Sequence, residues 1–169
     1  MPIRDDIQQT RPFPSPGQEA VVALLRTADV MGRYVDTVIE KHGITGQQYN
    51  VLRILRGAGE QGLPTLDIAE RMIEETPGVT RLIDRLEAKQ LVIRSRSARD
   101  RRQIYCIIAP GGLALLAELD GPVKCAADRA LAGLESAELA QFIALLDRTR
   151  DHVNQQFASR EPNSKRSLA

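Results

Sequence analysis

Arginine residues are concentrated in one short part of this 169-residue chain. Between Arg81 and Arg102, eight basic residues stand against three acidic ones, although the whole chain has a net charge of only +1. A guanidinium group is planar and binds phosphate or carboxylate groups through parallel hydrogen bonds. Such a cluster, on a chain whose remainder is net acidic, predicts an anion-binding face. The simpler alternative is a solvated charged surface.

The first arginines of the cluster lie in a segment, "GVTRLIDRLEAKQ", with helical periodicity. Its apolar residues form one stripe, which consists of Val79, Leu82, Ile83 and Leu86. Thr80, Arg81 and Arg85 lie elsewhere on the helix surface. Thr76 and Pro77 predict the N-cap and the first helical residue.

The period then changes to two, in "LVIRSRS" and "QIYCII". Leu91 and Ile93 share one face of the first strand, and Val92 and Arg94 share the other. A polar tip joins the two segments, so the pattern predicts a β-hairpin. The hairpin arginines are Arg94, Arg96, Arg99, Arg101 and Arg102.

The rest of the chain divides by composition and periodicity. We expect an extended arm over residues 1–17, a long helix over 18–44, a mixed domain over 45–109, C-terminal helices over 110–157 and a disordered tail over 158–169. Thr45 and Gln48 form a capping-box pattern, and Thr65 is a second candidate N-cap. Pro122 should kink or break the helical stretch around it.

Two short helices followed by a hairpin are the element order of a winged helix-turn-helix. The fold class is therefore mainly α with a small β-hairpin wing, flanked by terminal helices. In this arrangement a helix enters the major groove of DNA and the wing contacts the backbone or the minor groove. Phosphates would also explain why mutually repelling arginines are tolerated, because binding releases condensed counterions.

Several motifs in the same order resemble the MarR family of bacterial transcription regulators, over about residues 18–157. They are "VTRLIDRLEAKQLV", the "RDRR" wing, and the apolar strand and glycine-initiated helix that follow. The resemblance implies a homodimer on a pseudo-palindromic operator in double-stranded DNA, a repressor released by a small aromatic or phenolic ligand. It also implies that Asp100 structures the wing and that Arg102 lies in or near the minor groove. Gln90 replaces the glycine that usually ends the recognition helix, and a positive φ there would cost about 1 kcal/mol.

The family geometry suggests an effector pocket near Met31, Arg33, Tyr34 and Tyr49. Apolar stripes at the two chain ends predict the dimer interface. Its residues are Val21, Leu25, Ala28, Leu139, Ile143, Leu146, Val153 and Phe157. Packing of the first helix on the last within one chain is the alternative.

The candidate DNA contacts of the recognition helix are Thr76, Thr80, Arg81 and Arg85. Arginine reads guanine through its O6 and N7 atoms. An ion pair with Asp84 is the structural alternative for Arg81, and a capping role is the alternative for Thr76.

Other function classes find less support. No phosphate loop, metalloprotease motif or nucleophile elbow occurs, so we expect no enzyme, cofactor or metal. The chain has no signal peptide and no apolar run long enough to span a membrane, which favours a cytoplasmic protein. A winged-helix protein-interaction module and a redox-responsive regulator that uses Cys125 are the alternatives. Cys106 alternates with isoleucines and is expected in the core.

Overall fold

Helices account for most of the described chain, which comprises residues 1–96 and 104–160 of the computed structural model, excepting the side chains of Arg96 and Arg160. The helices are α1 (Ile3–Asp6), α2 (Pro16–Ile39), α3 (Gly46–Ala58), α4 (Thr65–Glu70), α5 (Val79–Ala88), α6 (Pro110–Ala130) and α7 (Ser136–Arg160). Short 3₁₀ turns follow α2 at Glu40–His42 and α3 at Gly59–Gln61.

Three antiparallel strands form a small sheet in the order β1-β3-β2, with β1 at Leu63–Pro64, β2 at Val92–Arg96 and β3 at Ile104–Ile108. The predicted alternation is confirmed, since Val92 is 2% exposed and its neighbour Ile93 is 50% exposed. Because helices predominate and the only sheet among the described residues is this small one, the predicted fold class is confirmed. Strand β1 was not predicted, because two residues that include a proline carry no periodicity.

The chain divides into two compact units, Met1–Ala127 and the segment that begins at Asp128. The first unit contains a continuous core to which α2, α3, α4, α5, the sheet and α6 contribute. Two glycines allow its elements to approach closely. A Cβ on Gly62 would lie 2.3 Å from the Cys106 carbonyl oxygen, and one on Gly112 would lie 2.4 Å from that of Leu91. Gly62 also has a φ of +63°.

One of the predicted helix starts is confirmed by its hydrogen bonds. The Gln48 amide donates to Thr45 Oγ1 at 3.3 Å, and the Thr45 amide donates to Gln48 Oε1 at 3.1 Å. Both bonds of the capping box are therefore present at the start of α3. Helix α2 starts slightly before its predicted first residue, at Pro16, where Ser15 accepts from the Gln18 amide.

The other two predicted N-caps are wrong. Thr65 is the first residue of α4 and makes no cap bond, because Pro64 still belongs to β1 and occupies the cap position. Thr76 does not cap α5. Gly78 lies at that position with a φ of +101°, and this left-handed residue separates Thr76 and Pro77 from the helix.

Three further expectations differ from the structure. The arm over residues 1–17 is not extended throughout, since it contains α1, and Asp6 Oδ2 lies 2.7 Å from Arg26 Nε on α2. Of the predicted kink or break at Pro122, the break is absent, since α6 continues through it; Pro122 and Glu118 are on exposed residues, where water can hydrate the carbonyl that the proline does not bond. Helix α7 continues to Arg160, and residues 161–169 of the predicted tail lie outside the described residues.

Candidate nucleic-acid interface

Helix α5 buries one face and presents the other to solvent. Its predicted stripe is confirmed: Val79, Leu82, Ile83 and Leu86 are all buried. Thr80, Arg81 and Arg85 are exposed on the remaining surface. Because burial fixes the rotation of the helix about its axis, these three polar side chains point away from the core.

The end of α5 is closed by a Schellman motif that uses a non-glycine residue. The Leu91 amide donates to the Leu86 carbonyl at 2.9 Å, and the Gln90 amide donates to the Glu87 carbonyl at 2.8 Å. Gln90 has the left-handed φ of +59° that this motif requires. The sequence left the φ of Gln90 open; in the structure it is positive, and we expect a cost of about 1 kcal/mol for this conformation. Lys89 Nζ also donates to the Gly43 carbonyl, which ties this end of α5 to the end of the first long helix.

The segment that leads into α5 is anchored to α3. Asn50 Oδ1 accepts from the Ile73 amide at 3.0 Å, and Gln47 Nε2 donates to Thr76 Oγ1 at 3.4 Å. Thr76 Oγ1 in turn donates to the Glu74 carbonyl at 3.1 Å. The Thr76 hydroxyl therefore holds the turn before α5 in place, and this role was not anticipated from the sequence.

Arg94 at the base of the hairpin binds two carboxylates of α5. Its Nη2 lies 2.5 Å from Asp84 Oδ1, and its Nη1 lies 2.6 Å from Glu87 Oε2. The hydrogen bond to Asp84, together with the negative charges of both partners, raises the pKa of Arg94 further above its ordinary value. The guanidinium is therefore engaged by the protein itself. The alternation of β2 carried part of the signal for this arrangement, because it puts Arg94 on the same strand face as Val92. That this part of the hairpin packs against α5 is seen only in the structure.

This pairing also bears on the structural alternative for Arg81, which was an ion pair with Asp84. Asp84 pairs with Arg94, and within residues 1–96 and 104–160 no carboxylate lies in ion-pair distance of Arg81 or Arg85. Of the other predicted wing residues, Arg96 ends β2, where its backbone is paired with Ile104. Arg99, Asp100, Arg101 and Arg102 lie outside the described residues.

A cavity of about 280 Å³ lies beside the segment before α5. Apolar walls come from Val35, Ile39, Met72 and Val123, and polar groups come from Asp36, Tyr49, Asn50, Arg53 and Glu74. The Arg53 guanidinium lies 5.9 Å from the Tyr49 ring centre, within cation–π range. Burial and the nearby charges of Glu40 and Glu74 raise the pKa of Asp36.

Only part of the predicted effector pocket coincides with this cavity. Tyr49 lines it, whereas Met31, Arg33 and Tyr34 are not among its lining residues. Arg33 is bound by Asp29 on the preceding turn of α2, where Arg33 Nη2 lies 2.9 Å from Asp29 Oδ2, and Tyr34 is 42% exposed. Side chains of a helix point in different directions at successive positions, so the family geometry located the region of the cavity but not the α2 residues that line it.

The predicted interface residues on α2 and α7 are accessible in the single chain. Val21 is 57% exposed and Leu25 is 66% exposed on α2, where Ala28 is also exposed. On α7, Ile143 and Val153 are about half exposed and Phe157 is 63% exposed. Leu139 and Leu146 are partly buried.

The cysteines lie in two different environments. Cys106 is fully buried, as predicted, and burial raises the pKa of its thiol. Cys125 is exposed. Among the described residues, no helix is long and apolar enough to span a membrane, and no group of three acidic, histidine or cysteine residues is arranged to hold a metal ion.

Comparison with known proteins places this geometry in a family. The sequence model of the MarR family matches residues 44–104, which include α3, α4, α5, β1 and β2. A MarR transcription factor from Planctomyces limnophilus is 38% identical, with 80% of this chain and 98% of that chain covered and a TM-score of 0.62. This chain belongs to the MarR family.

Other members are similar over a comparable length. The transcriptional regulator MhqR of Bacillus subtilis is 27% identical over 127 residues, which is 75% of this chain and 86% of that protein. In its DNA complex, MepR of S. aureus is 25% identical, with 77% and 96% of the two chains covered and a TM-score of 0.69. The chain is thus a MarR-type transcription regulator with a winged helix-turn-helix fold, in which α5 occupies the position of the recognition helix and β2 and β3 occupy that of the wing.

Proposed function

We propose that this chain is a homodimeric cytoplasmic repressor that binds a pseudo-palindromic operator and is released by a small molecule. The observation that carries the proposal is the outward face of α5, where Thr80, Arg81 and Arg85 are exposed. Neither arginine has a carboxylate partner within the described part of the chain. Free guanidinium groups on an exposed face of a recognition helix are suited to base edges and phosphates in the major groove.

The individual roles follow from position. Arg81 lies near the start of α5, and the first residues of a recognition helix reach base edges, so we assign it to guanine. Arg85 and Thr80 contact bases or the adjacent phosphates. Thr76 supports the turn and is close enough to the start of α5 to touch a phosphate as well.

The wing arginines supply affinity. Arg96, Arg99, Arg101 and Arg102 are assigned to phosphates or the minor groove, with Asp100 shaping the wing, as the family resemblance implies. Arg94 is withdrawn from this set, because Asp84 and Glu87 already bind its guanidinium.

Exposed apolar residues support the dimer. On α2 they recur at Val21, Leu25 and Ala28, and on α7 at Ile143, Val153 and Phe157, with the partly buried Leu139 and Leu146 in the same stripe. This spacing of three and four residues forms one stripe on each helix. Stripes of this kind on long exposed helices are typical of a surface that a second copy covers.

The cavity beside the segment that precedes α5 is the proposed effector site. Its volume of about 280 Å³ suits a single aromatic ring, and the Tyr49 ring and Met72 offer apolar contacts. Asp36 and Glu74 can accept a hydrogen bond from a phenolic hydroxyl, and these two acidic groups outnumber the one basic group of the lining, Arg53, so they disfavour a carboxylate. We therefore propose a neutral phenol as the effector. Ile73 and Glu74 line the cavity and precede α5, so occupancy can shift the recognition helix.

Selection of binding sequences from a random duplex pool tests the DNA-binding part. The wild-type protein should enrich an inverted repeat and should bind it less tightly as salt rises, because phosphate contacts release counterions. A reporter gene behind the enriched repeat should be silenced when the protein is present. Failure to enrich any sequence would refute sequence-specific binding, and activation of the reporter would refute repression.

Titration of the protein–DNA complex with unsubstituted phenol and with benzoate tests the effector part. Phenol should release the DNA at lower concentration than benzoate. Gly32→Leu should block release without weakening DNA binding, because Gly32 lines the cavity and nothing lies within 4 Å of a Cβ built there. Gly57→Leu is the matched control, since it is equally unobstructed but does not line the cavity. Equal release by both compounds, or equal effects of both variants, would contradict this assignment.

A further inference from the structure

The geometry points to Arg94 as a positioning residue that sets base discrimination by the recognition helix while making no phosphate contact of its own. This inference rests on the proposed DNA binding and goes beyond it. It concerns a bridge that spans two elements, from the first residues of the wing to the last turns of α5.

The bridge has the geometry of a clamp. Asp84 and Glu87 are three residues apart on α5 and so lie on one side of it. Arg94 Nη2 and Nη1 reach one carboxylate each, at 2.5 and 2.6 Å. The Arg94 side chain is 25% exposed, whereas those of Asp84 and Glu87 are 53% and 41% exposed, so the arginine is the more enclosed partner.

The clamp joins two elements, α5 and β2, that a very short segment connects. Only Lys89, Gln90 and Leu91 separate the end of α5 from β2, and Gln90 takes the strained left-handed conformation. The turn at Gln90 and the two ion pairs of Arg94, one with Asp84 and one with Glu87, together fix the angle between the recognition helix and the wing. Base contacts depend on that angle, because hydrogen bonds to base edges tolerate little displacement.

The clamp also controls which charges face the DNA. Unpaired carboxylates on a recognition helix repel phosphates, and Asp84 is in position to capture Arg81 one turn earlier. Since Asp84 forms its ion pair with Arg94, the guanidinium of Arg81 remains available to bases. Loss of Arg94 therefore affects the residue that reads sequence as well as the helix angle.

The charge-conserving variant Arg94→Lys separates this role from phosphate binding. A lysine ammonium still binds phosphate as a point charge, but it cannot bridge two carboxylates in one fixed geometry. As a positioning residue, Arg94 requires both bonds, so Arg94→Lys should lower the affinity ratio of selected to scrambled duplex by roughly ten-fold. A phosphate contact would instead leave this ratio unchanged.

The acidic partners give the complementary test. Asp84→Asn/Glu87→Gln should lower the same ratio, although removal of negative charge should raise binding to the scrambled duplex. If Arg94 contacted phosphate, freeing it would strengthen binding to both duplexes alike and leave the ratio intact. Combining these changes with Arg94→Lys should lower the ratio no further, because all of them break one clamp.

The salt dependence completes the experiment. Arg94→Gln should leave the slope of log affinity against log salt unchanged, whereas the control Arg99→Gln should reduce it by roughly 1.8 per dimer, for two lost phosphate contacts. Thermal melting in parallel identifies variants that fail to fold, and the single variants Asp84→Asn and Glu87→Gln then replace them. A reduced slope for Arg94→Gln, or an unchanged ratio for Arg94→Lys, overturns the inference while DNA binding stands. Failure of the wild type to select a sequence refutes both.

Discussion

Helix α5 and helix α7 use their apolar residues in opposite ways. Helix α5 has ten residues and buries four apolar side chains in the core of its own unit. Helix α7 has twenty-five residues, and none from Ser136 to Ser159 is fully buried. The position of α5 is thus determined within one chain, whereas the apolar surface of α7 remains exposed, and we propose that a second copy covers it.

The difference bears on how such a regulator can work. A recognition helix must be held rigidly in its own domain, because base readout needs fixed geometry. The spacing between two recognition helices, by contrast, is set by the surface that joins the copies. Affinity for a single half-site and the match to operator spacing can therefore change independently.

The largest expected effect comes from removing the anchor of α5. Leu86 is fully buried, and Leu86→Ala should destabilise the protein by about 2–5 kcal/mol, from lost burial and the cavity left behind. Urea unfolding at fixed protein concentration measures this. Leu66→Ala is the control, since Leu66 is 70% exposed and should change stability by less than about 0.5 kcal/mol. Similar losses for both variants would mean that α5 is not anchored as described.

The next effect tests the accessible surface of α7. Phe157→Asp should raise the dimer dissociation constant by at least about ten-fold, because a dimer that buries this ring gains roughly 1.5–3 kcal/mol from it. Sedimentation equilibrium provides the measurement. Gln155→Asp adds the same charge at an exposed polar position of α7 and should leave the constant unchanged. If both variants dissociate equally, the stripe is not the interface.

A third effect distinguishes the polar faces of the two helices. Arg81→Ala should cost about 1–3 kcal/mol in discrimination between the selected sequence and its single-base variants. Arg148→Ala removes an exposed arginine from α7 and should leave discrimination intact. Competition binding with a set of substituted duplexes measures both. A uniform loss across all duplexes for Arg81→Ala would reassign this residue to phosphate.

The sequence predicted features that depend on local spacing. The capping box of Thr45 and Gln48, the buried stripe of α5 and the alternation of β2 all involve residues a few positions apart, and all are confirmed. The caps at Thr65 and Thr76 are wrong because distant contacts decide them. Pairing of Leu63 with Cys106 across β1 and β3 sets where α4 can begin.

The candidate site shows the same limit. The exposed face of α5 follows from helical periodicity alone. The binding of Arg94 by Asp84 and Glu87 requires knowing which face of β2 packs against α5, and so does the resulting freedom of Arg81. The three predicted pocket residues that do not line the cavity were taken from the geometry of the family, which does not specify the direction of each side chain around this helix.

The smallest expected effect comes from a substitution on α2. The apolar residues at the start of this helix are exposed, like those of α7, and those at its end are buried, like those of α5. Val21 and Leu25 are exposed, whereas Ile39 is 2% exposed, and Asp36 lies where burial begins. Burial, followed by the charges of Glu40 and Glu74, raises the pKa of Asp36 above its ordinary value of 3.8. Folding therefore favours the protonated form.

Asp36→Asn therefore tests whether the folded protein disfavours a charged carboxylate at this boundary between exposed and buried residues of α2. A raised pKa means that the folded state holds more protons than the unfolded state, so Asp36 costs stability as pH rises through its folded-state pKa. The variant should therefore be more stable than the wild type at pH 7. The difference should shrink as pH falls toward 3.8. Urea unfolding across this range measures it, and a variant less stable at pH 7 would show that the charged carboxylate is favoured where it lies.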